Sequence, residues 1–273
     1  MCAAGRRLTL KFLLCINSGA VVLFLVMIYI FFPTWAELSP LMDMFEGRLE
    51  VETGRRAGFT GLLGKKPVTA LVSGVGQVNT AQAATAVLQG GTAELVVMGG
   101  CAGAYAGSGL RVGDVAVATE EVYADLGVST PDGWLTLEDI GLPLTGSDRP
   151  GVSRPDPGRR FNRFPLRVES YEAALKAACK GGIYFGPFLT VSTVSGTRER
   201  GDTLYKRFGA LCENMEGAAA AQVSLLYDVP FIEVRGISNL VEDRDMGRWD
   251  VAAGAANCAR AIEGFVAALG QAI

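Results

Sequence analysis

Glu216 opens a segment, Gly217-Ala-Ala-Ala-Ala221, that is otherwise small and apolar. One helix later Asn239 closes an apolar run, Phe231-Ile-Glu-Val-Arg-Gly-Ile-Ser, and Glu37 stands just after another, Met27-Ile-Tyr-Ile-Phe-Phe. Two carboxylates and an amide at the ends of candidate strands are the chemical groups that the pattern singles out. A carboxylate is ordinarily ionised at neutral pH and takes a proton from water, whereas an amide exchanges hydrogen bonds without releasing a proton. Glu216 has a second reading, as a carboxylate that only complements the helix dipole. None of the 273 residues is histidine, which excludes Ser-His-Asp and Cys-His nucleophile systems and imidazole metal sites. Six cysteines (Cys2, Cys15, Cys101, Cys179, Cys212, Cys258) are scattered without a C-x-x-C pair. They read as small apolar core residues in a reduced, cytoplasmic setting, with no metal and no cofactor.

The elements that must position these groups alternate. Candidate strands are 27–32, 68–73, 95–98, 114–119, 188–194 and 231–235, several of them running into glycine: Gly74-Val-Gly76, Gly99-Gly-Cys-Ala-Gly103, Ser195-Gly196 and Gly236-Ile-Ser-Asn239. Candidate helices are 37–45, 79–88, 171–178 and 214–227, with a final helix capped by Asp250 that stripes Cys258, Ile262, Phe265, Val266 and Leu269 on one face. This order predicts an α/β fold: a single three-layer domain over 27–273, its central sheet mostly parallel and flanked by helices, with ligands beyond the carboxyl ends of the strands. The glycine turn at 74–76 is either an anion cradle or a tight turn under a packed helix, and it lacks the third glycine of a dinucleotide fingerprint. Residues 145–166, rich in Arg, Pro and Gly, read as a long surface loop. A net charge of −3 offers no field for nucleic acid.

The motifs Met215-Glu216-Gly-Ala-Ala, Arg235-Gly-Ile-Ser-Asn239, Gly100-Cys-Ala-Gly103 and Leu110-Arg-Val-Gly-Asp114 resemble the superfamily of purine nucleoside phosphorylases and methylthioadenosine nucleosidases. Glu120-Glu-Val-Tyr-Ala-Asp-Leu-Gly127, Thr130-Pro-Asp-Gly133 and Asp243-Arg-Asp245 are most similar to the futalosine hydrolase family within it, and the resemblance spans roughly residues 27 to 270. It implies hydrolysis of an N-glycosidic bond of futalosine, with release of hypoxanthine, on the route to menaquinone. Glu37 would activate water, Glu216 would accept from the ribose hydroxyls, and Met215 would pack on the sugar. Backbone at Cys101, Ala102 and Gly103 would flank base and sugar. Adenine-releasing members carry aspartate where Asn239 stands, so the amide implies a 6-oxopurine leaving base, with Asp243 or Asp245 as candidates for the proton on N7.

Phosphorylases of this fold place arginines where this chain reads Phe32-Pro-Thr-Trp and Val97-Met-Gly-Gly, so water is the expected nucleophile. Ser195, Gly196, Thr197 and Arg198, with Arg200, are candidates for binding the far carboxylate of the substrate, or else carry solvated charge. Tyr105, Tyr123 and Phe188 are either an aromatic slot or ordinary core. The alternatives within the family are a methylthioadenosine/adenosylhomocysteine nucleosidase and a purine nucleoside phosphorylase. The family also implies a homo-oligomer.

A non-enzymatic alternative, a membrane-tethered nucleoside-binding protein, rests on the apolar leader. Arg6, Arg7 and Lys11 precede an apolar stretch from Phe12 to Phe32, close to the ~20 residues that a spanning helix needs. Residues 27–32 read instead as a buried strand, which makes Met27 an alternative start and residues 1–26 a leader of doubtful status.

Overall fold

The computed structural model describes residues 14–17, 20–23, 27–146, 158–179 and 182–270. Among the described residues, strands β1 (Leu14–Asn17) and β2 (Ala20–Leu23) pair only with each other. These described parts of the leader are strands, the rest of residues 1–26 lies outside the described residues, and among the described residues no helix is long and apolar enough to cross a membrane. Next come β3 (Met27–Phe32), α1 (Trp35–Met42), β4 (Glu46–Thr53), β5 (Arg56–Leu63), β6 (Lys66–Val72), α2 (Gln77–Leu88) and β7 (Ala93–Tyr105). They are followed by β8 (Val115–Tyr123), the small hairpin β9 (Gly127–Thr130) and β10 (Gly133–Thr136), and β11 (Arg163–Pro165). The last part holds α3 (Glu172–Ala178), β12 (Tyr184–Thr190), α4 (Arg198–Phe208), β13 (Cys212–Asn214), α5 (Gly217–Leu226), β14 (Phe231–Val241) and α6 (Val251–Leu269).

The main sheet runs β11-β8-β12-β13-β7-β3-β6-β5-β4, and β14 pairs with both β7 and β8. It is mixed. The pairs β3/β6, β3/β7, β7/β14, β12/β8 and β12/β13 are parallel, while β4/β5, β5/β6, β13/β7, β14/β8 and β11/β8 are antiparallel. Two hairpins that the candidate strands omit account for part of the antiparallel share. Their turns, Gly54-Arg55 and Gly64-Lys65, hold all four residues at φ between +53° and +66°, the two-residue geometry whose twist matches that of antiparallel strands. Strand β4 is the exposed edge, and its charges at Glu46, Arg48, Glu50 and Glu52 discourage further pairing.

Helices α1, α3 and α6 cover one face of the sheet and α2 and α5 the other, giving the three layers. Asp250 caps α6 by accepting from the Ala253 N–H at 2.8 Å. Of the predicted stripe, Cys258, Ile262, Phe265 and Val266 are fully covered and Leu269 is half-buried, and burying Ile262, Phe265 or Val266 contributes roughly 1.5–3 kcal/mol each. On the other face the alanines of α5 let the helix lie close to the sheet. Within the long loop, Thr145 bridges Arg160, and Arg163–Pro165 adds an edge strand to β8; residues 147–157 lie outside the described residues.

Two of the glycine runs expected at strand ends lie inside strands that are longer than predicted, whereas Gly74-Val-Gly76 is the turn between β6 and α2 and Ser195-Gly196 lies beyond the end of β12. β7 continues through Gly99, Gly100 and Gly103 to Tyr105, and β14 through Gly236 to Val241. Close approach explains it, since a Cβ on Gly236 would sit 1.9 Å from the Gly254 carbonyl oxygen of α6. Strand β12 also starts and ends earlier than the predicted 188–194, because Gly186-Pro187 does not end it; Pro187 is accommodated at a register shift against β8.

Candidate active site

Glu37 lies in the first turn of α1, two residues inside a helix that starts at Trp35. Thr34 is the N-cap: its Oγ1 accepts from the Glu37 N–H at 3.3 Å and donates to Glu37 Oε2 at 2.6 Å. The other oxygen, Oε1, accepts from the Cys101 N–H of β7 at 2.9 Å. Both oxygens of a buried carboxylate are thus held in place with lone pairs to spare. Gly100, at φ +147°, makes this possible, because a Cβ there would meet Arg235 Nη1 at 2.6 Å and Glu37 Oε1 at 3.0 Å.

Glu216 caps the start of α5 and is buried. Its Oε1 accepts from the Gly76 N–H at 2.9 Å, and its Oε2 accepts from Arg235 Nη2 at 3.2 Å and from the Met215 N–H at 3.3 Å. The turn at 74–76 is therefore a clamp on this carboxylate, with Gly76 at φ +91° aiming its N–H inward. Arg56 approaches the same turn from β5, but its Nε and Nη2 are bonded to Gln82 and Asn79.

Arg235, assigned no role from the sequence, pairs with Glu216 and reaches the carbonyl of Cys101, whose N–H holds Glu37. Its guanidinium bonds Glu233 Oε1 at 2.8 Å, Glu216 Oε2 at 3.2 Å, Asn214 Oδ1 at 3.3 Å and the Cys101 carbonyl at 3.2 Å. Burial by itself would favour the neutral form, but the carboxylates of Glu233 and Glu216, with Glu37 beyond, outweigh it and raise the arginine pKa. A signal for it was present. Glu233 and Arg235 are two apart in an otherwise apolar strand, which puts both on one face, and a buried charge of one sign calls for the other.

Asn239 owes its position to a bulge. β14 pairs Ile237 with Ala102 and Asn239 with Gly103, leaving Ser238 as the extra residue and re-aiming the amide. Gly103 leaves it room, since a Cβ there would lie 3.0 Å from Asn239 Nδ2. Ser238 Oγ donates to Asn239 Oδ1 at 2.8 Å, and Nδ2 gives one hydrogen to the Leu240 carbonyl at 3.1 Å. The second Nδ2 hydrogen is left for a ligand acceptor.

Thus Glu37, Cys101, Ala102, Gly103, Met215, Glu216 and Asn239 come together around the C-terminal part of β7. Cys101 is no nucleophile, because burial and then the Glu37 charge push its thiol up to about 12. The stretch 195–198 is tied to the fold instead. Ser195 donates from N and Oγ to the two oxygens of Glu213, both at 2.7 Å, the Gly196 carbonyl accepts from the Arg244 N–H, and Thr197 caps α4. Arg198 is exposed, with Asp202 at 3.7 Å, and Arg200 Nη2 bonds the Thr193 carbonyl. Tyr105, Tyr123 and Phe188 are buried, the two phenols bonded to Glu213 and Gln222, so they pack as core. Asp243 accepts from the Arg198 N–H and Asp245 from the Gly247 N–H.

The model of the phosphorylase superfamily matches residues 28–271. This chain belongs to that superfamily. It is 35% identical to a futalosine hydrolase of Thermus thermophilus over 203 residues, 74% of this chain and 82% of the relative. With a futalosine hydrolase of Acidothermus cellulolyticus it shares 36% identity over 205 residues, 74% of this chain and 75% of that one. Among solved structures, the 5′-methylthioadenosine/S-adenosylhomocysteine nucleosidase of Neisseria meningitidis in complex with methylthio-immucillin-A superposes with a TM-score of 0.72. That match covers 89% of this chain and 99% of the nucleosidase at 24% identity, and it bears on the fold.

Proposed function

We propose that this member of the superfamily is a futalosine hydrolase: it cleaves the N-glycosidic bond of futalosine with water and releases hypoxanthine. One observation carries the choice of nucleophile. The buried Arg235 guanidinium is committed to Glu216 and Glu233, and Glu37 is held by neutral groups, while the glycine turn that would cradle phosphate spends its Gly76 N–H on Glu216. The sequence similarity to named futalosine hydrolases supports the choice of substrate.

In this reading Glu37 takes a proton from water as its oxygen adds to C1′ and the bond from C1′ to N9 breaks. Glu216 accepts from the ribose 2′- and 3′-hydroxyls, which strengthens as positive charge builds on the sugar. Met215, half-buried beside it, packs on the ribose. Asn239 offers its remaining Nδ2 hydrogen to N7 or O6 of the base. Asp243 and Asp245 are exposed, and in this reading the proton on N7 comes from solvent.

Base release in phosphate-free buffer is the direct test. Hypoxanthine should appear at full rate without phosphate, and release that depends on added phosphate would make the chain a phosphorylase.

Two variants probe the roles. Glu216→Gln should lower kcat about 10- to 100-fold with little change in KM, since the lost charged hydrogen bonds tighten in the transition state; a rise confined to KM would remove Glu216 from that role. Asn239→Asp should reduce hypoxanthine release relative to adenine release, because a carboxylate repels O6. An unchanged ratio across inosine- and adenosine-type substrates would show that position 239 does not read the base.

A further inference from the structure

Beneath the start of α5 the carboxyl groups of Glu121 on β8 and Glu233 on β14 face each other, both without solvent exposure. A side chain at Gly217 would begin 2.2 Å from Glu121 Oε1 and 2.2 Å from Glu233 Oε2, so glycine is obligatory above this meeting point. Glu233 Oε1 is bonded to Arg235 Nε at 2.8 Å, but Glu233 Oε2, buried, has no N–H or hydroxyl partner among the described residues. Around Glu121 the donors are neutral: Asn214 Nδ2 and Thr190 Oγ1, each at 2.7 Å. Two ionised carboxylates facing each other in a dry interior repel, and such dyads ionise one member at a time.

We propose that Glu121 and Glu233 hold one proton between them at neutral pH, carried by Glu121 and donated to Glu233 Oε2, and that this dyad is the base on which Glu216 is positioned. Arg235 decides which member is ionised, because its charge stabilises the Glu233 carboxylate and, among the described residues, nothing cationic touches Glu121. From the dyad two arms reach Glu216. One runs from Glu233 through Arg235 to Glu216 Oε2. In the other, Glu121 holds the Asn214 amide, whose Oδ1 accepts from the N–H groups of Glu216 at 2.8 Å and Gly217 at 2.7 Å and so sets the backbone that carries the side chain. With the proton in place, Arg235 shares its charge with one dyad carboxylate and Glu216; without it, a third carboxylate competes.

The surroundings agree with this count. Burial, followed by Glu233, pushes Glu121 well above the usual carboxylate range; burial raises Glu233 as well, while Arg235 pulls it back. Tyr123, on the same strand as Glu121, and Cys212 on β13 also face the dyad, and both are raised by burial and then by its carboxylates, which keeps them neutral. Arg235 and Glu216 complete the charged groups around it.

The kinetic part of this inference rests on the reading of Glu216 as the ribose acceptor; the proton itself does not. Infrared spectra of the full chain carrying 13C-labelled glutamate should show, at neutral pH, the carbonyl stretch of a protonated carboxyl that disappears in Glu121→Gln. Glu121→Ala should lower kcat roughly tenfold with KM little changed, and Glu121→Gln, which keeps a donor toward Glu233, should restore most of that loss. Stability supplies a third readout. Because the native dyad keeps a proton that the unfolded chain has released, the wild-type folding equilibrium constant should fall as pH rises above the ordinary glutamate range, by up to about tenfold per pH unit, and Glu121→Gln should lack that fall.

The proposal is overturned if wild type shows no protonated carboxyl, if the band survives in Glu121→Gln, or if the glutamine variant is as slow as the alanine one. Should the alanine variant not fold, the wild-type band and the glutamine variant decide alone. If the band is present but Glu216→Gln turns over normally, the dyad stands and the positioning role falls with the ribose reading.

Discussion

Glu37→Gln should abolish most base release, with kcat about 10²- to 10⁴-fold below wild type and the fold intact. The amide is nearly isosteric, and both contacts of the native side chain survive it. Its oxygen still accepts from the Cys101 N–H, and its NH2 group donates to Thr34 Oγ1, which already works as both donor and acceptor at the helix cap. What disappears is the capacity to take a proton from water. Tm should therefore stay close to wild type while kcat collapses, and KM should change little because the ribose and base contacts lie elsewhere. Single-turnover base release together with a thermal melt checks both halves. Turnover within tenfold of wild type would remove Glu37 as the base.

Arg235→Met should be the most damaging change for the fold, at about 3–5 kcal/mol, since it leaves buried carboxylates without their counter-charge. Glu233 and Glu216 are nearly inaccessible to solvent, and the arginine between them is the cation that both touch. At roughly 2–4 °C per kcal/mol for a chain of this size, Tm should drop by about 10 °C. The sign of the pH dependence follows from the same picture. Without the guanidinium the orphaned carboxylates favour protonation in the native state, so their folded-state pKa values rise above the unfolded ones and stability is lost as pH increases. The deficit relative to wild type should be smaller near pH 5 than near pH 8, measured by denaturant unfolding at both. An equal deficit at the two pH values would mean that lost packing, and not uncompensated charge, is the cause.

These two substitutions separate what the site does from what holds it. Glu37 sits at the edge of the charged cluster and is anchored by neutral groups, so its charge is available to a proton. Glu216 sits inside the cluster, with its oxygens fixed by Gly76, Met215 and Arg235. A side chain fixed in that way suits the recognition of two hydroxyls at set positions, where misplacement costs rate.

By itself, the sequence determined the chemistry that was possible and most of the elements. The absence of histidine excluded imidazole mechanisms, and what remained, two carboxylates and an amide, lies where the structure gathers its site. Capping and periodicity placed α6 from Asp250 onward, because both are local properties of the chain. Tertiary structure alone decided three things. The hairpins β4/β5 and β5/β6 were legible only in their positive-φ turns, since β4 is charged and exposed and carries little apolar pattern. The glycines of β7 and β14 looked like turns because small residues are ambiguous locally; the approach of Gly254, Arg235 and Glu37 to those strands shows that they permit close packing. Of the acids around Arg235 only Glu233 is its neighbour in the chain; that Glu216 is its second partner and that Glu121 meets Glu233 was decided in three dimensions, because those acids come from separate elements and nothing local records the contact.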